Sequence, residues 1–164
     1  MTARATTGEL VTCEVERGVA VLTWNRPDRA NSWSVPMEEE YFALLRQCTD
    51  DPDARAIVVT GAGRTFCPGL DTDRLSDLST GAVGTRPQDR QPMTLPATVP
   101  KPVIAAINGA CAGVGLIQAL LCDVRFAAAG VNFTTTFARR GIMAEHGIAW
   151  LLPRVIGTGA RRTC

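Results

Sequence analysis

Two glycine-containing turns are the part of this sequence best suited to chemistry. Each stands between a strand-like run and a helix-like run. The first reads Gly69-Leu70-Asp71 and the second reads Gly113-Val114-Gly115. A glycine before a helix lets backbone N–H groups point into a pocket, where they can bind an oxyanion. Two separate turns of this kind could supply one donor each, although glycines at such places also serve ordinary tight turns.

Nucleotide-binding loops are the first alternative for such glycines. Gly61-Ala62-Gly63 follows a strand-like run, but no third glycine stands at the dinucleotide spacing and no Gly-Lys-Ser/Thr follows. The turn at Gly113 and Gly115 fails the same two tests. Neither a Rossmann fingerprint nor a phosphate-binding P-loop is therefore favoured.

Metal and nucleophile chemistry has little support. The six cysteines show neither a CxxC nor a paired zinc-ligand spacing: Cys13, Cys48, Cys67, Cys111, Cys122 and Cys164. We expect reduced, buried thiols and no metal site. His146 is the single histidine, and no serine or cysteine lies in a nucleophile-elbow motif, so we expect His146 to have a structural or supporting role.

Composition indicates one globular domain. The chain has 164 residues, 46% of them hydrophobic, and a formal net charge of +1, which gives no reason to expect nucleic acid or an anionic membrane as partner. Residues 1–10 lack the pattern of a secretory signal, so a cytoplasmic location is expected. Residues 103–122 are long and apolar, but their polar and glycine residues favour a strand, a turn and a buried helix over a membrane span.

Strand and helix patterns alternate along the chain and predict an α/β fold. Strands are predicted at residues 11–16, 19–25, 56–60, 103–107 and 124–128. Helices are predicted from Ser34 onward, at residues 71–78 and 113–121, and at residues 148–152, where Pro153 should stop the last one. Residues 79–100 contain four prolines and few large apolar side chains, and we expect them to form a mobile loop.

Several ordered segments carry a family resemblance. They are VLTWNRPDRAN at residues 21–31, GAGRTFCPGLD at 61–71, and KPVIAAING at 101–109, followed by Gly113, Gly115 and the pair Cys122-Asp123. Residues 133–157 extend the similarity, which covers residues 11–159. This order and spacing resembles the crotonase (enoyl-CoA hydratase/isomerase) superfamily.

The resemblance implies a fold, a substrate and a site. The fold would be a spiral of repeated ββα units, assembled as trimers or dimers of trimers. The substrate would be an acyl-CoA thioester, whose carbonyl oxygen binds the backbone amides of Leu70 and Val114. Coenzyme A would be part of the substrate, so no separate cofactor is expected. The resemblance implies that these residues bind the acyl-CoA, including its coenzyme A part: Arg29, Ala30, Ser32, Gly69, Leu70, Asp71, Gly113 and Val114. Asp71 is also expected to cap the helix that follows it.

The acid–base residues depart from the family's pattern. The two glutamates of its hydratases fall here on Ile117 and Phe137, neither of which can transfer a proton. Glu145 stands where some isomerases of the family carry a single catalytic acid, and a lone carboxylate suits a 1,3-proton shift. Two alternatives stay open: Glu145 could simply favour a helix start, and the chain could be a non-catalytic or truncated crotonase-like fragment.

Residues 157–164 resemble the entry to a further helix. The expectation from the resemblance is that residues 1–164 form a crotonase-like N-terminal core domain without the C-terminal helical region that builds the family's trimer.

Overall fold

The structure, a computed structural model, describes residues 4–72, 90–135, 137–138, 141 and 143–160. The strands in these ranges are Arg4–Thr7 (β1), Val11–Glu16 (β2), Val19–Trp24 (β3), Ala56–Gly61 (β4), Thr65–Cys67 (β5), Val103–Ile107 (β6), Ala110–Ala112 (β7), Val124–Ala127 (β8) and Phe133–Thr134 (β9). The α-helices are Val35–Asp50 (α1), Val114–Leu121 (α2) and Ile148–Ala160 (α3).

Two sheets organise these strands. The larger has the order β1-β2-β3-β4-β6-β8, and the smaller has the order β5-β7-β9. Beyond the antiparallel pairs β1–β2 and β2–β3, the neighbouring strands are parallel. From β4 onward the chain alternates between the sheets, and a helix follows both β7 and β9. This succession is the predicted spiral of ββα units, and the α/β fold class is confirmed.

Helix α1 begins and packs as its sequence predicts. The Ser34 hydroxyl accepts a hydrogen bond from the Met37 amide at 3.4 Å, and Pro36 lies in the first turn. The apolar face of α1 packs on β2 and β3. The buried aromatic side chains form one cluster beneath it: Trp24, Trp33, Tyr41, Phe42 and Phe66. Trp33 also forms a backbone bridge with Leu70, in the first of the two glycine turns.

The structure describes only the C-terminal part, residues 90–100, of the segment predicted as a mobile loop at residues 79–100. Residues 79–89 lie outside the described residues, as does most of the helix predicted at 71–78. Further along, Met93 and Leu95 are buried in the core, and Leu95–Thr98 forms a 3-10 helix. The Met93 carbonyl accepts a hydrogen bond from the Gln118 side chain at 3.0 Å, which ties this end of the segment to α2.

Helix α3 is longer than predicted. It continues through Pro153 to Ala160, with a break at Gly157, whose φ of 80° and ψ of 160° are not helical. Proline removes one hydrogen bond from a helix interior, but Leu151 and Leu152 pack against the core and hold this segment in place. The stop predicted at Pro153 is therefore wrong.

The long apolar stretch at residues 103–122 folds as the predicted strand β6 and helix α2, and the turn predicted between them contains the short strand β7. Within the described ranges, no helix combines the length and the apolar character that crossing a membrane requires.

Candidate active site

The two predicted glycine turns lie side by side because the strands before them are paired. β5 and β7 are parallel neighbours, with Thr65 opposite Ala110 and Cys67 opposite Cys111. The carboxyl ends of parallel strands meet at one edge of a sheet. The chain leaves this edge from β5 toward Leu70 and from β7 toward Val114.

Gly69 and Gly113 bring the two turns into contact. A Cβ built on Gly113 would lie 3.4 Å from the Gly69 Cα, and one on Gly69 would lie 3.5 Å from the Ala112 carbonyl oxygen. Both glycines have positive φ, 112° and 50° respectively, a conformation that side chains disfavour. Leu70 and Val114 each follow one of these touching glycines, so the structure brings the two predicted donor residues together.

The backbone around Leu70 is held by Trp33. The Trp33 amide donates to the Gly69 carbonyl at 2.7 Å, and the Asp71 amide donates to the Trp33 carbonyl at 3.0 Å, which forms an isolated parallel bridge. In extended backbone, successive N–H groups point to opposite sides. Because Asp71 directs its amide toward Trp33, the Leu70 amide is directed to the other side of this bridge.

Val114 is the first residue of α2, and the first N–H groups of a helix have no partner within it. The preceding Gly113 amide is used elsewhere, since it donates to the Thr134 carbonyl of β9 at 3.3 Å. The positive end of the helix dipole adds to the attraction of an anion at this position. The Val114 amide therefore lies in the first turn of α2, where the helix dipole favours an anion.

Residues 29–32, which were predicted to border coenzyme A, lie beside the turn that contains Leu70. Arg29 ends the 3-10 helix Pro27–Arg29, and Ala30 follows in the left-handed conformation with φ 53°. The Ser32 hydroxyl donates to Asp71 Oδ2 at 3.1 Å. Ser32 therefore lies against the Leu70 turn, and its hydroxyl is engaged with the protein scaffold.

Arg26 and Asn31 support the site, and the sequence reasoning missed them as site residues. Arg26 Nη2 lies 3.0 Å from Asp71 Oδ2, and Arg26 Nη1 donates to the Ser32 carbonyl at 2.6 Å. The buried Asn31 side chain donates to the Ala62 and Thr65 carbonyls. Arg26 and Asp71 are 45 positions apart, so no local spacing could have linked them.

Glu145 lies just before α3, with its side chain 66% exposed. Its carboxylate oxygen is 3.7 Å from His146 Nε2, and His146 has a positive φ of 54°. The Ile148 amide donates to the Glu145 carbonyl at 3.2 Å, and the Ile148 side chain is buried in the core. Helix α3 packs against α2, so Glu145 precedes a helix anchored on the element that carries Val114.

The two positions to which the resemblance assigns the hydratase glutamates are apolar and inward-facing. Ile117 lies in α2 and is 1% exposed, and Phe137 is partly buried against the core. Neither adds an acid or a base.

Thiol chemistry at the site is disfavoured by burial. Cys67 ends β5, directly before the first turn, and burial raises its pKa to about 12, which keeps the thiol protonated at neutral pH. Among the residues that the structure covers, no group of three or more His, Cys, Asp or Glu side chains is arranged to hold a metal ion.

Comparisons with known proteins match this architecture. The sequence profile named Enoyl-CoA hydratase/isomerase matches residues 14–163. The 1,2-epoxyphenylacetyl-CoA isomerase of Escherichia coli K12 is 39% identical over 157 residues, covering 91% of this chain and 59% of that protein. A Mycobacterium tuberculosis protein named "Probable enoyl-CoA hydratase EchA14" is 37% identical, covering 93% of this chain and 60% of that protein.

The fold comparison agrees with the sequence comparison. The crystal structure of the enoyl-CoA hydratase EchA12_1 from Mycobacterium marinum is 42% identical and superposes with a TM-score of 0.76, covering 95% of this chain and 69% of that one. The chain spans about 60% of the length of the two curated relatives above. Its matching profile, strand order and paired glycine turns show that the chain belongs to the enoyl-CoA hydratase/isomerase family, in the crotonase superfamily.

Proposed function

We propose that this chain binds an acyl-CoA thioester and stabilises the enolate of that thioester with the backbone amides of Leu70 and Val114. The observation that carries the proposal is the contact between Gly69 and Gly113, which brings the two following residues together at one sheet edge. Enolate formation develops negative charge on the thioester oxygen. Two fixed N–H donors stabilise that charge more than they stabilise the neutral carbonyl.

Glu145 is the proposed acid–base residue. The family's two-glutamate hydration is not available to a site with Ile117 and Phe137 at those positions. One carboxylate can remove a proton from the carbon next to the thioester and return it two carbons away. We therefore favour a double-bond isomerisation of an enoyl-CoA. The exposed Glu145 carboxylate, beside a helix packed on α2, is consistent with this role.

The proposal also covers the residues that bind the substrate, the cofactor requirement, the assembly and the cellular location. The thioester or coenzyme A is bordered by Arg29, Ala30, Ser32, Gly69, Asp71 and Gly113. No cofactor beyond the substrate is needed. By family resemblance, we further propose a cytoplasmic homotrimer or hexamer that acts in fatty acid metabolism.

A pair of Val114 variants tests the oxyanion role. Val114→Pro deletes one N–H donor at the first helical position, where proline is well tolerated. Val114→Ala keeps the donor and removes the two side-chain methyl groups, so it controls for loss of the valine side chain alone. We expect Val114→Ala to bind butyryl-CoA and to convert a 3-enoyl-CoA within about threefold of the parent chain. Val114→Pro should lose about 100-fold or more of turnover. Equal behaviour of the two variants would refute the assignment.

The non-catalytic alternative rests on the apolar side chains at Ile117 and Phe137. Assays with crotonyl-CoA and a 3-enoyl-CoA distinguish it. Tight butyryl-CoA binding without turnover of either substrate would identify a binding protein. Isomerisation of the 3-enoyl-CoA alone would support the isomerase.

A further inference from the structure

We infer that Arg26 is a positioning residue, which fixes the direction of the Leu70 amide through its bonds to Asp71 and Ser32. The inference deepens the proposed function and rests on it, because the amide's direction is important only if the amide binds the thioester oxygen.

Arg26 contacts both segments of the bridge between Trp33 and Leu70. The bridge that orients the turn joins Trp33 to Leu70. Arg26 contacts the residue before Trp33 and the residue after Leu70. Nη1 donates to the Ser32 carbonyl at 2.6 Å, and Nη2 donates to Asp71 Oδ2 at 3.0 Å. One guanidinium therefore holds both segments of the bridge, and the planar group allows both bonds at once.

The ion pair between Arg26 and Asp71 is largely shielded from solvent. The Arg26 and Asp71 side chains are only 15% and 8% exposed, so water screens their attraction weakly. The Ser32 hydroxyl shares the same Asp71 oxygen, at 3.1 Å, and closes a three-residue network. A charge-assisted network of this kind holds its members more tightly than exposed ion pairs do.

The backbone of Arg26 is itself held by hydrogen bonds to Asn31. Its amide donates to Asn31 Oδ1 at 2.9 Å, and the Asn31 amide donates back to the Arg26 carbonyl at 2.8 Å. The Asn31 side chain then bonds the Ala62 and Thr65 carbonyls at 2.9 and 2.6 Å. Thr65 begins β5, so the network connects the Leu70 turn to the strand that precedes it.

Trp33 is fixed from a second direction. Its indole N–H donates to the buried Glu38 carboxylate at 3.0 Å, and its ring packs against Trp24 and Tyr41 in the core. Because Trp33 is held in the core, the orientation of Leu70 depends on how firmly the segment that contains Leu70 and Asp71 is held. Arg26 holds that segment through Asp71.

The test uses Arg26→Lys, which keeps the charge but replaces the planar fork by a single ammonium that cannot make both bonds in the same geometry. Because a small misplacement of a catalytic donor is costly, we expect kcat for a 3-enoyl-CoA to fall about 10- to 100-fold. KM should stay within about threefold. Arg125→Lys is the matched control, since Arg125 donates to the Cys122 carbonyl at 2.5 Å near the far end of α2. It should leave both parameters near those of the parent chain.

Nuclear magnetic resonance gives a reading that needs no turnover. In ¹⁵N-labelled protein, Arg26→Lys should shift the Leu70 amide resonance. It should also speed the hydrogen exchange of the Asp71 amide, which is bonded to the Trp33 carbonyl, about tenfold or more. The Val114 resonance, on the other turn, serves as an internal reference and should move less. Ser32→Ala removes only one bond of the network and should move the Leu70 resonance in the same direction by a smaller amount, which keeps the test usable if Arg26→Lys folds poorly.

Combining the Arg26 and Asp71 substitutions gives a further test of the inference. Asp71→Asn should reproduce the Arg26→Lys effect, and the double variant should be little worse than either single one, because both act through one network. Additive losses would overturn the inference, and so would a folded Arg26→Lys protein with an unmoved Leu70 resonance and unchanged kcat. A rise in KM alone would also overturn it and would identify Arg26 as a substrate contact. If Val114→Pro and Val114→Ala behave alike, the proposed function fails, while the resonances still report separately on the Leu70 amide.

Discussion

Gly115 of α2 lies directly on the end of β5, against Cys67. A Cβ built on Gly115 would be 2.3 Å from the Cys67 carbonyl oxygen and 2.7 Å from the Cys67 Cβ. The first turn of α2, which carries Val114, can approach the neighbouring turn this closely only because residue 115 has no side chain. The distance between the two candidate donors therefore depends on a glycine that need not contact the substrate.

We predict that Gly115→Ala destabilises the protein. Replacing glycine by alanine inside a helix ordinarily stabilises it by about 0.5–1 kcal/mol. Here the added methyl group meets backbone, and overpacking of this kind typically costs about 1–3 kcal/mol. The sign of the change in unfolding free energy, measured by urea denaturation, decides the matter. Gly130→Ala is a useful comparison, since a Cβ there meets nothing within 4 Å, although its φ of 78° adds strain. Stabilisation by Gly115→Ala would contradict the close packing.

Glu145→Gln should lower turnover without unfolding the protein. The amide keeps the shape of the carboxylate and removes its ability to accept a proton, so we expect a loss of about 10²–10⁴-fold in kcat. Its exposed position predicts a stability change within about 0.5 kcal/mol. Glu14→Gln, an exposed carboxylate on β2, serves as the control for charge alone. Full activity of the Glu145 variant would remove Glu145 from the mechanism.

The sequence predicted the elements whose signals are local. Strands β2 and β6 have the predicted bounds, and α1 begins at the predicted Ser34 cap. The strands of the small sheet were missed because β5 and β7 have three residues each and β9 has two, too few for an alternating pattern to register. They form because neighbouring turns of the spiral pair them, and that pairing is a long-range effect.

The residues of the candidate site also divide into those with a local sequence signal and those without one. Leu70 and Val114 could be located from glycine turns and the family resemblance, since both signals lie in short stretches of chain. The bonds from Arg26 to Ser32 and Asp71 could not, because they depend on a bridge between segments brought together only by the fold. Tertiary contacts of this kind leave no periodic signal in a single sequence.

Stability should fall in alkaline solution because of buried thiols. Burial raises the pKa of Cys67, Cys111 and Cys122 to about 12, from 9.0. Above pH 9 the unfolded chain loses these protons while the folded chain retains them, so the folded state binds more protons and stability falls as pH rises toward 12. Each thiol contributes up to about 1.4 kcal/mol per pH unit in that window. Urea denaturation at about pH 8 and about pH 10 measures this slope.

Cys67→Ser is the corresponding control for the alkaline effect. The hydroxyl of serine does not ionise in this range, so the variant should show a shallower fall in stability with pH, whatever its stability at neutral pH. An identical slope in the variant would show that Cys67 does not contribute, and a stability independent of pH in the parent chain would contradict the buried thiols altogether.

Exposed apolar side chains on β8 predict that the chain associates in solution. β8 is an edge strand of the large sheet, and Phe126 and Val124 on it are 67% and 44% exposed. An exposed edge with apolar side chains favours pairing with other chains. Sedimentation velocity should give an average sedimentation coefficient that rises with protein concentration.

Phe126→Thr keeps a good strand former and removes the aromatic ring, so it should weaken the concentration dependence. Met143→Thr removes a still more exposed apolar side chain (79%) outside the strands and helices, and it should have a smaller effect. A parent chain that stays monomeric at every concentration would show that this edge is protected.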